Sequence, residues 1–101
     1  MYSKKQLTKA INDIDPIKLI EPGLNDDEYR HEIDEIYRID KALGGSKSVG
    51  ELAVIIHEVF KQGFNYVCDE TGNLVFRGDT TGPHELYELV AMKTLSGANH
   101  A

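Results

Sequence analysis

The sequence predicts an α+β fold, mostly α, in which three N-terminal helices, a β-hairpin and a C-terminal helix form one domain over residues 1–101. Three patterns predict it. Apolar residues recur at helical spacing in three successive stretches. The period then changes to two around a glycine-containing loop, which marks a hairpin. A Gly-Pro step follows and opens a last stretch at helical spacing. At 101 residues the chain is long enough for one core and too short for two.

The first helix is expected over about residues 4–14. Ser3 and Gln6 form a capping box, Tyr2 and Leu7 occupy the positions of a hydrophobic staple, and Leu7, Ala10, Ile11 and Ile14 share one face. Asp15-Pro16 ends it, because the residue before proline is pushed out of the helical region. Ile17, Leu19 and Ile20 continue as an apolar connector to the turn Glu21-Pro22-Gly23. The second helix is expected over about 27–43, capped by Asn25 or Asp26. Tyr29, Ile33, Ile36 and Leu43 form its inward stripe, and Gly44-Gly45 its left-handed stop.

A third helix over about 49–62 opens on a second capping box, Ser48 to Glu51, and buries Leu52, Ile55, Ile56, Val59 and Phe60, with Gly63 as its end. Phe64, Tyr66 and Cys68 then alternate with Asn65 and Val67, and residues 74–77 supply a second strand, giving a hairpin over about 64–77. The last helix is expected over about 83–95 with Pro83 at its first position. The full core is Leu7, Ile11, Ile14, Ile33, Ile36, Leu52, Ile55, Ile56, Val59, Phe60, Leu86, Leu89 and Val90.

The formal charge of −6 is unevenly spread. Residues 21–40 hold eight acids (Glu21, Asp26, Asp27, Glu28, Glu32, Asp34, Glu35 and Asp40) against Arg30 and Arg38. A negative surface repels phosphate, which disfavours direct binding of nucleic acid or of an anionic membrane; a basic protein is the partner it attracts. No apolar run is long enough for a membrane span or a signal peptide, and the single Cys68 fits a reducing compartment, so a cytoplasmic location is expected.

No residue pattern marks an active site, so an enzyme is not expected. His57-Glu58 begins like a zinc-protease helix, but Lys61 stands where the second histidine belongs. His31 with Glu35 and His84 with Glu88 lie one turn apart and offer two ligands each, short of the three or four that hold zinc; they read as surface groups. Cys68 reads as a small buried hydrophobe. Glycine loops for phosphates or dinucleotides are absent, and no metal or cofactor is expected.

What stands out is the acidic second helix. With Tyr29, Ile33 and Ile36 inward, Asp27, Glu28, Asp34 and Glu35 face outward, Glu28, Glu32 and Glu35 form a like-charge row, and Arg30 and Arg38 are placed to pair with Asp26 and Asp34. The expected partner-binding residues are Asp26, Asp27, Glu28, Asp34 and Glu35, with Tyr29 or Tyr37 as an aromatic anchor.

Asp15-Pro16-Ile17-x-Leu19-Ile20, Asp27-Glu28-Tyr29, Glu32-Ile33 and Leu52-Ala53-x-x-Ile56-x-x-Val59-Phe60 resemble a pattern in short, largely uncharacterised bacterial cytosolic helical proteins, some of them similar to immunity proteins that neutralise a cognate toxin. The resemblance covers about residues 7–64, and Lys18 stands where the pattern has glycine. It implies direct binding of a toxin domain, and a basic nuclease-like toxin fits the charge. The other expectation is a non-catalytic regulatory or structural adaptor that self-associates or docks in a larger assembly.

Overall fold

Helix α1 (Lys4–Ile14) starts where the capping box puts it: Gln6 N–H donates to Ser3 Oγ, and Ser3 N–H to Gln6 Oε1. The computed structural model describes residues 2–17 and 29–98. The connector residues Leu19 and Ile20, the turn Glu21-Pro22-Gly23, and the expected start of the second helix at Asp27 lie outside the described residues. Helix α1 ends at Asp15 as expected, but by a different device. Asp15 takes up the left-handed conformation (φ 48°) and its N–H still reaches Ile11 O, where proline alone implied an extended residue.

Helix α2 is described over Arg30–Ala42. Beyond it Gly45 N–H bonds Asp40 O and Gly44 N–H bonds Lys41 O, with both glycines at positive φ. This is the Schellman arrangement, which satisfies carbonyls the helix end leaves open. Leu43, placed inward by the spacing, is exposed because it follows the last helical residue. Helix α3 (Val49–Phe64) is capped by Ser48 Oγ, which accepts from Glu51 N–H. The Glu51 carboxylate accepts from Lys47 N–H, so the second capping box is not reciprocal. Gly63 does not end α3: Asn65 is the C-cap.

Strands β1 (Tyr66–Cys68) and β2 (Leu74–Phe76) pair antiparallel, with Val67 opposite Val75. The loop between them is organised by Asp69, whose Oδ1 accepts from Thr71 N–H, Thr71 Oγ1 and Asn73 N–H. The alternation seen in the sequence does not translate into burial. All six strand residues are exposed, Cys68 included, because among the described elements β1 touches α3 alone of the helices and β2 touches none. Asn65 is the buried residue, and its Oδ1 holds Thr80 N–H and Oγ1.

Helix α4 (His84–Ala98) completes the chain. Helix α1 packs against α2 and α4, and α3 against the same two, closing a ring around the core. Phe60 sits at its centre, stacked on Tyr29 (5.5 Å between ring centroids) and edge-to-face with Tyr87 (5.3 Å). The buried side of α4 is Tyr87, Val90, Ala91 and Thr94; of the expected Leu86, Leu89 and Val90, only Val90 belongs to it. Leu89 is 47% exposed and Leu86 is half-buried. Apolar residues run nearly all round this helix, so spacing could not choose the face; the large ring of Tyr87 packing on Phe60 does. Ile14 and Ile55 pack at the edge of the core. Among the described residues no helix is long and apolar enough to cross a membrane.

In urea melts, Ile56→Ala is expected to lower stability by about 2–5 kcal/mol, since Ile56 is fully buried. Leu89→Ala is expected to stay within about 0.5 kcal/mol of wild type. Equal losses would contradict the rotation of α4 described here.

Candidate functional site: the groove between α2 and α3

Two rows of side chains face each other where α2 lies on α3. His31, Glu32, Glu35 and Ile39 come from α2, and Glu58, Val59, Gln62 and Gly63 from α3. Both rows follow from helical spacing, which repeats a face every three or four residues. They enclose an open groove of about 450 Å³ with apolar residues Ile39 and Val59 among three carboxylates. Among the described residues no lysine or arginine lines it. Arg38 pairs with Glu35, and Lys61 with Glu58 at 3.5 Å, but both cations lie outside the lining, on solvent-exposed arms. Exposed pairs of this kind are weak and exchange readily for a better partner.

Glu32 is the unusual member. Its side chain is turned inward, leaving the residue 8% exposed, and burial raises its carboxyl above the ordinary glutamate range, with its own backbone N–H and His31 opposing the shift. Its Oε2 lies against Gly63, where a Cβ would stand 3.3 Å away. Spacing carried this signal. Glu32 is three residues after Tyr29 and four before Ile36, on the same buried stripe; grouping it with Glu28 and Glu35 as a surface row obscured it.

The other expected binding residues are divided. Asp26, Asp27 and Glu28 lie outside the described residues. Asp34 and Glu35 are on the α2 surface, but Asp34 pairs with Lys4 at 2.9 Å and Glu35 with Arg38, and these partners hold both carboxyls below their ordinary range. The expected pairing of Arg38 with Asp34 is not the one formed. Tyr29 is fully buried: its ring stacks on Phe60 and its hydroxyl donates to Asp15 at 2.5 Å, so it holds α2 to the end of α1 and presents nothing to a partner. Tyr37 is half-buried, edge-to-face with Tyr2, and Lys4 Nζ lies 5.7 Å from its ring centre. Asp40, counted among the surface acids, is buried and bonded by Tyr2 and Ser46 hydroxyls.

A second polar cluster escaped the sequence reading. His57, on the α3 stripe between Ala53 and Phe60, is buried against Tyr87 with ring centroids 4.2 Å apart. Its Nε2 lies 3.0 Å from Thr81 Oγ1, and its Nδ1 lies 2.9 Å from His84 Nδ1. The Thr81 hydroxyl donates to Asp79 Oδ1, so it accepts from His57 Nε2–H. The remaining His57 nitrogen must then accept from His84 Nδ1–H, which fixes both tautomers. Thr81 gives its proton to a carboxylate and is fully buried, so the histidine does not activate it as a nucleophile. The cluster joins the loop before α4 to α3. Among the described residues no three His, Cys, Asp or Glu side chains are grouped to hold a metal ion.

No known family model matches the chain, and no curated protein or solved structure is significantly similar to it.

Burial lowers the pKa of His57 from its ordinary value of 6.5, helped by Lys61 and His84 and opposed by Asp79 and Glu58. The unfolded chain therefore binds this proton at higher pH than the folded one. Stability from the neutral ring is complete above about pH 6.5 and is lost as pH falls toward the folded-state value. Thermal melts are expected to show a lower midpoint at pH 5.5 than at pH 7.5, and a smaller drop in His57→Phe, which keeps a ring against Tyr87. Identical drops would remove His57 as the cause.

Proposed function

We propose that this chain is a non-catalytic binding protein that engages a basic protein through the α2–α3 face, in the manner of an immunity protein that neutralises a toxin domain. The observation that carries the reading is the groove: three carboxylates around apolar walls, with the cations Arg38 and Lys61 outside the lining. Such a surface receives the apolar stem of an arginine or lysine along its walls and the charged head among its acids. The acids also raise the rate at which a basic partner arrives. A nuclease-like toxin has a basic surface because it must bind phosphates, and the sequence resemblance favours this partner among basic proteins.

The test is capture of the partner from the native host, followed by binding kinetics of the purified pair at two salt concentrations. The expected partner is basic, with an association rate that falls as salt rises and an affinity reduced by Glu35→Lys/Glu58→Lys. Expressed alone in a test host it should arrest growth, and co-expression of this chain should restore it. A neutral or acidic partner, or an affinity unchanged in the double variant, contradicts the reading. A basic partner harmless on its own would leave the binding face and remove the toxin.

The hairpin favours the adaptor reading, in the form of a second copy of this chain. Arg77 N–H to Asn65 O and Asp69 N–H to Asn73 O bracket the ladder, so the backbone groups of Leu74 and Phe76 point outward from an edge that no described element covers. An antiparallel copy centred on Val75 matches Leu74 with Phe76 in both directions. It also brings Arg77 of each hairpin toward the acidic tip, Asp69 and Glu70, of the other. Two strands alone are marginal in water, and four sharing an apolar face are not. Sedimentation is expected to show a dimer that Leu74→Lys/Phe76→Lys, which sets like charges opposite one another, converts to monomer. A monomer at every concentration would end this reading.

A further inference from the structure

We propose that the inner end of the α2–α3 groove is a subsite for one arginine side chain, with Glu32 as the carboxylate that receives its guanidinium and Gly63 as the residue that lets this carboxylate sit against α3. The subsite rests on the reading of this face as the partner-binding one and specifies what the partner must insert.

Three observations place the arginine there. The first is the carboxylate itself. Glu32 is more than nine-tenths buried and lines the groove, yet among the described residues no other side chain bonds or ion-pairs with it. Buried charges elsewhere in proteins are paired, because an isolated one loses its hydration without return. Here Asp40 shows the ordinary solution, bonded by two hydroxyls. Among the described residues Glu32 has no such partner, and its carboxylate keeps its contact with solvent on the side that faces the groove.

The second observation is Gly63. It stands inside α3 without a positive φ, so its backbone does not require glycine, and alanine is the better helix former. What the missing side chain provides is space: a Cβ there would lie 3.3 Å from Glu32 Oε2 and 3.6 Å from its Cγ. The Glu32 side chain takes that space and packs directly on α3, so the glycine sets where the carboxylate stands at the inner end of the groove.

The third is the shape and chemistry of the approach. Ile39 and Val59 offer walls for methylenes, and Glu35 and Glu58 stand in the same groove as further acceptors. A planar guanidinium offers five donors in a fixed fork, enough for Glu32 and a second carboxylate together. An ammonium is more strongly hydrated and matches a paired-oxygen acceptor less well. The N-terminal turn of α2 holds Glu32, where the helix dipole favours its ionised form.

The two residues make an unusual joint expectation. Burial raises the Glu32 carboxyl, so the fold is most favoured with it neutral, and this contribution is lost as pH rises through the folded-state value. Glu32→Gln is therefore expected to raise the thermal midpoint at pH 7, with the gain closing below about pH 4.5. Removing a group that the fold tolerates at a loss should thus strengthen the fold and weaken the subsite.

The experiment is an amide NMR titration of the whole chain with N-acetyl-arginine methylamide, and with the matching lysine compound. Saturable shifts are expected at Glu32, Val59 and Gly63, tighter for arginine than for lysine. Binding should be about tenfold weaker in Glu32→Gln, the loss of one charge-assisted pair, and also reduced in Gly63→Ala, with circular dichroism showing both variants folded. Shifts spread over exposed acids such as Asp13 and Asp34 without saturation would overturn the subsite. So would arginine binding undiminished in Glu32→Gln. If the arginine compound does not bind while Glu35→Lys/Glu58→Lys still weakens the captured partner, the subsite falls and the binding face stands. If the arginine compound binds as described while that double variant binds the partner normally, the face falls and the subsite stands.

Discussion

Three buried tyrosines hold the ring of helices together, each with its ring in the core and its hydroxyl at a place where the chain leaves a helix or enters one. Tyr2 reaches Asp40 near the end of α2, Tyr29 reaches Asp15 at the end of α1, and Tyr87 reaches the Thr81 carbonyl before α4. Each ring removes a large apolar surface from water, and each hydroxyl supplies the hydrogen bond that a buried chain end needs. Phe60 links two of them, stacking on Tyr29 and meeting Tyr87 edge-on. Burial pushes the Tyr2 and Tyr87 hydroxyls far above the ordinary phenol range, so they remain donors at any pH at which the fold persists.

That economy of satisfied groups makes the exceptions informative. The interior disposes of Asp40, Asn65 and Thr81 by giving each a partner. Among the described residues Glu32 and the outer hairpin edge are left open: one is the carboxylate of a mostly buried side chain facing a groove, the other an apolar pair of strands with backbone groups directed outward. The groove and the edge involve different elements, so occupation of one does not exclude occupation of the other. A chain that binds a basic partner through α2 and α3 and itself through β2 uses both.

The helices were legible in the sequence where capping and termination are chemical. Ser3 with Gln6, Ser48, and Gly44-Gly45 act through specific hydrogen bonds, and they sit where reading them placed the boundaries. Buried faces were legible where apolar residues occupy one side only, as in α1 and α3. They were not in α4, where Leu86, Leu89, Val90, Met92 and Leu95 encircle the helix and tertiary packing decides. The hairpin was legible as a pair of strands but not as an exposed one, because alternation reports a half-buried strand only if something covers it. The site was the least legible part. Charge density drew attention to Asp34 and Glu35, which find cations on the surface, and away from Glu32, whose place on the Tyr29–Ile36 stripe was visible only when polar residues are tested for burial as apolar ones are.

The central claim is that folding leaves the Glu32 side chain mostly buried beside Gly63, with its carboxylate open to the groove and no side-chain partner for it among the described residues. The most direct measurement is a pH titration of the Glu32 carboxyl carbon by NMR in the free protein, with Glu35 as an internal comparison. The account places the Glu32 midpoint above the ordinary glutamate value of 4.5 and the Glu35 midpoint, lowered by Arg38, below it. A Glu32 midpoint at or below that of Glu35 would mean that the carboxylate is solvated or already paired, and the groove would have nothing held open for a partner.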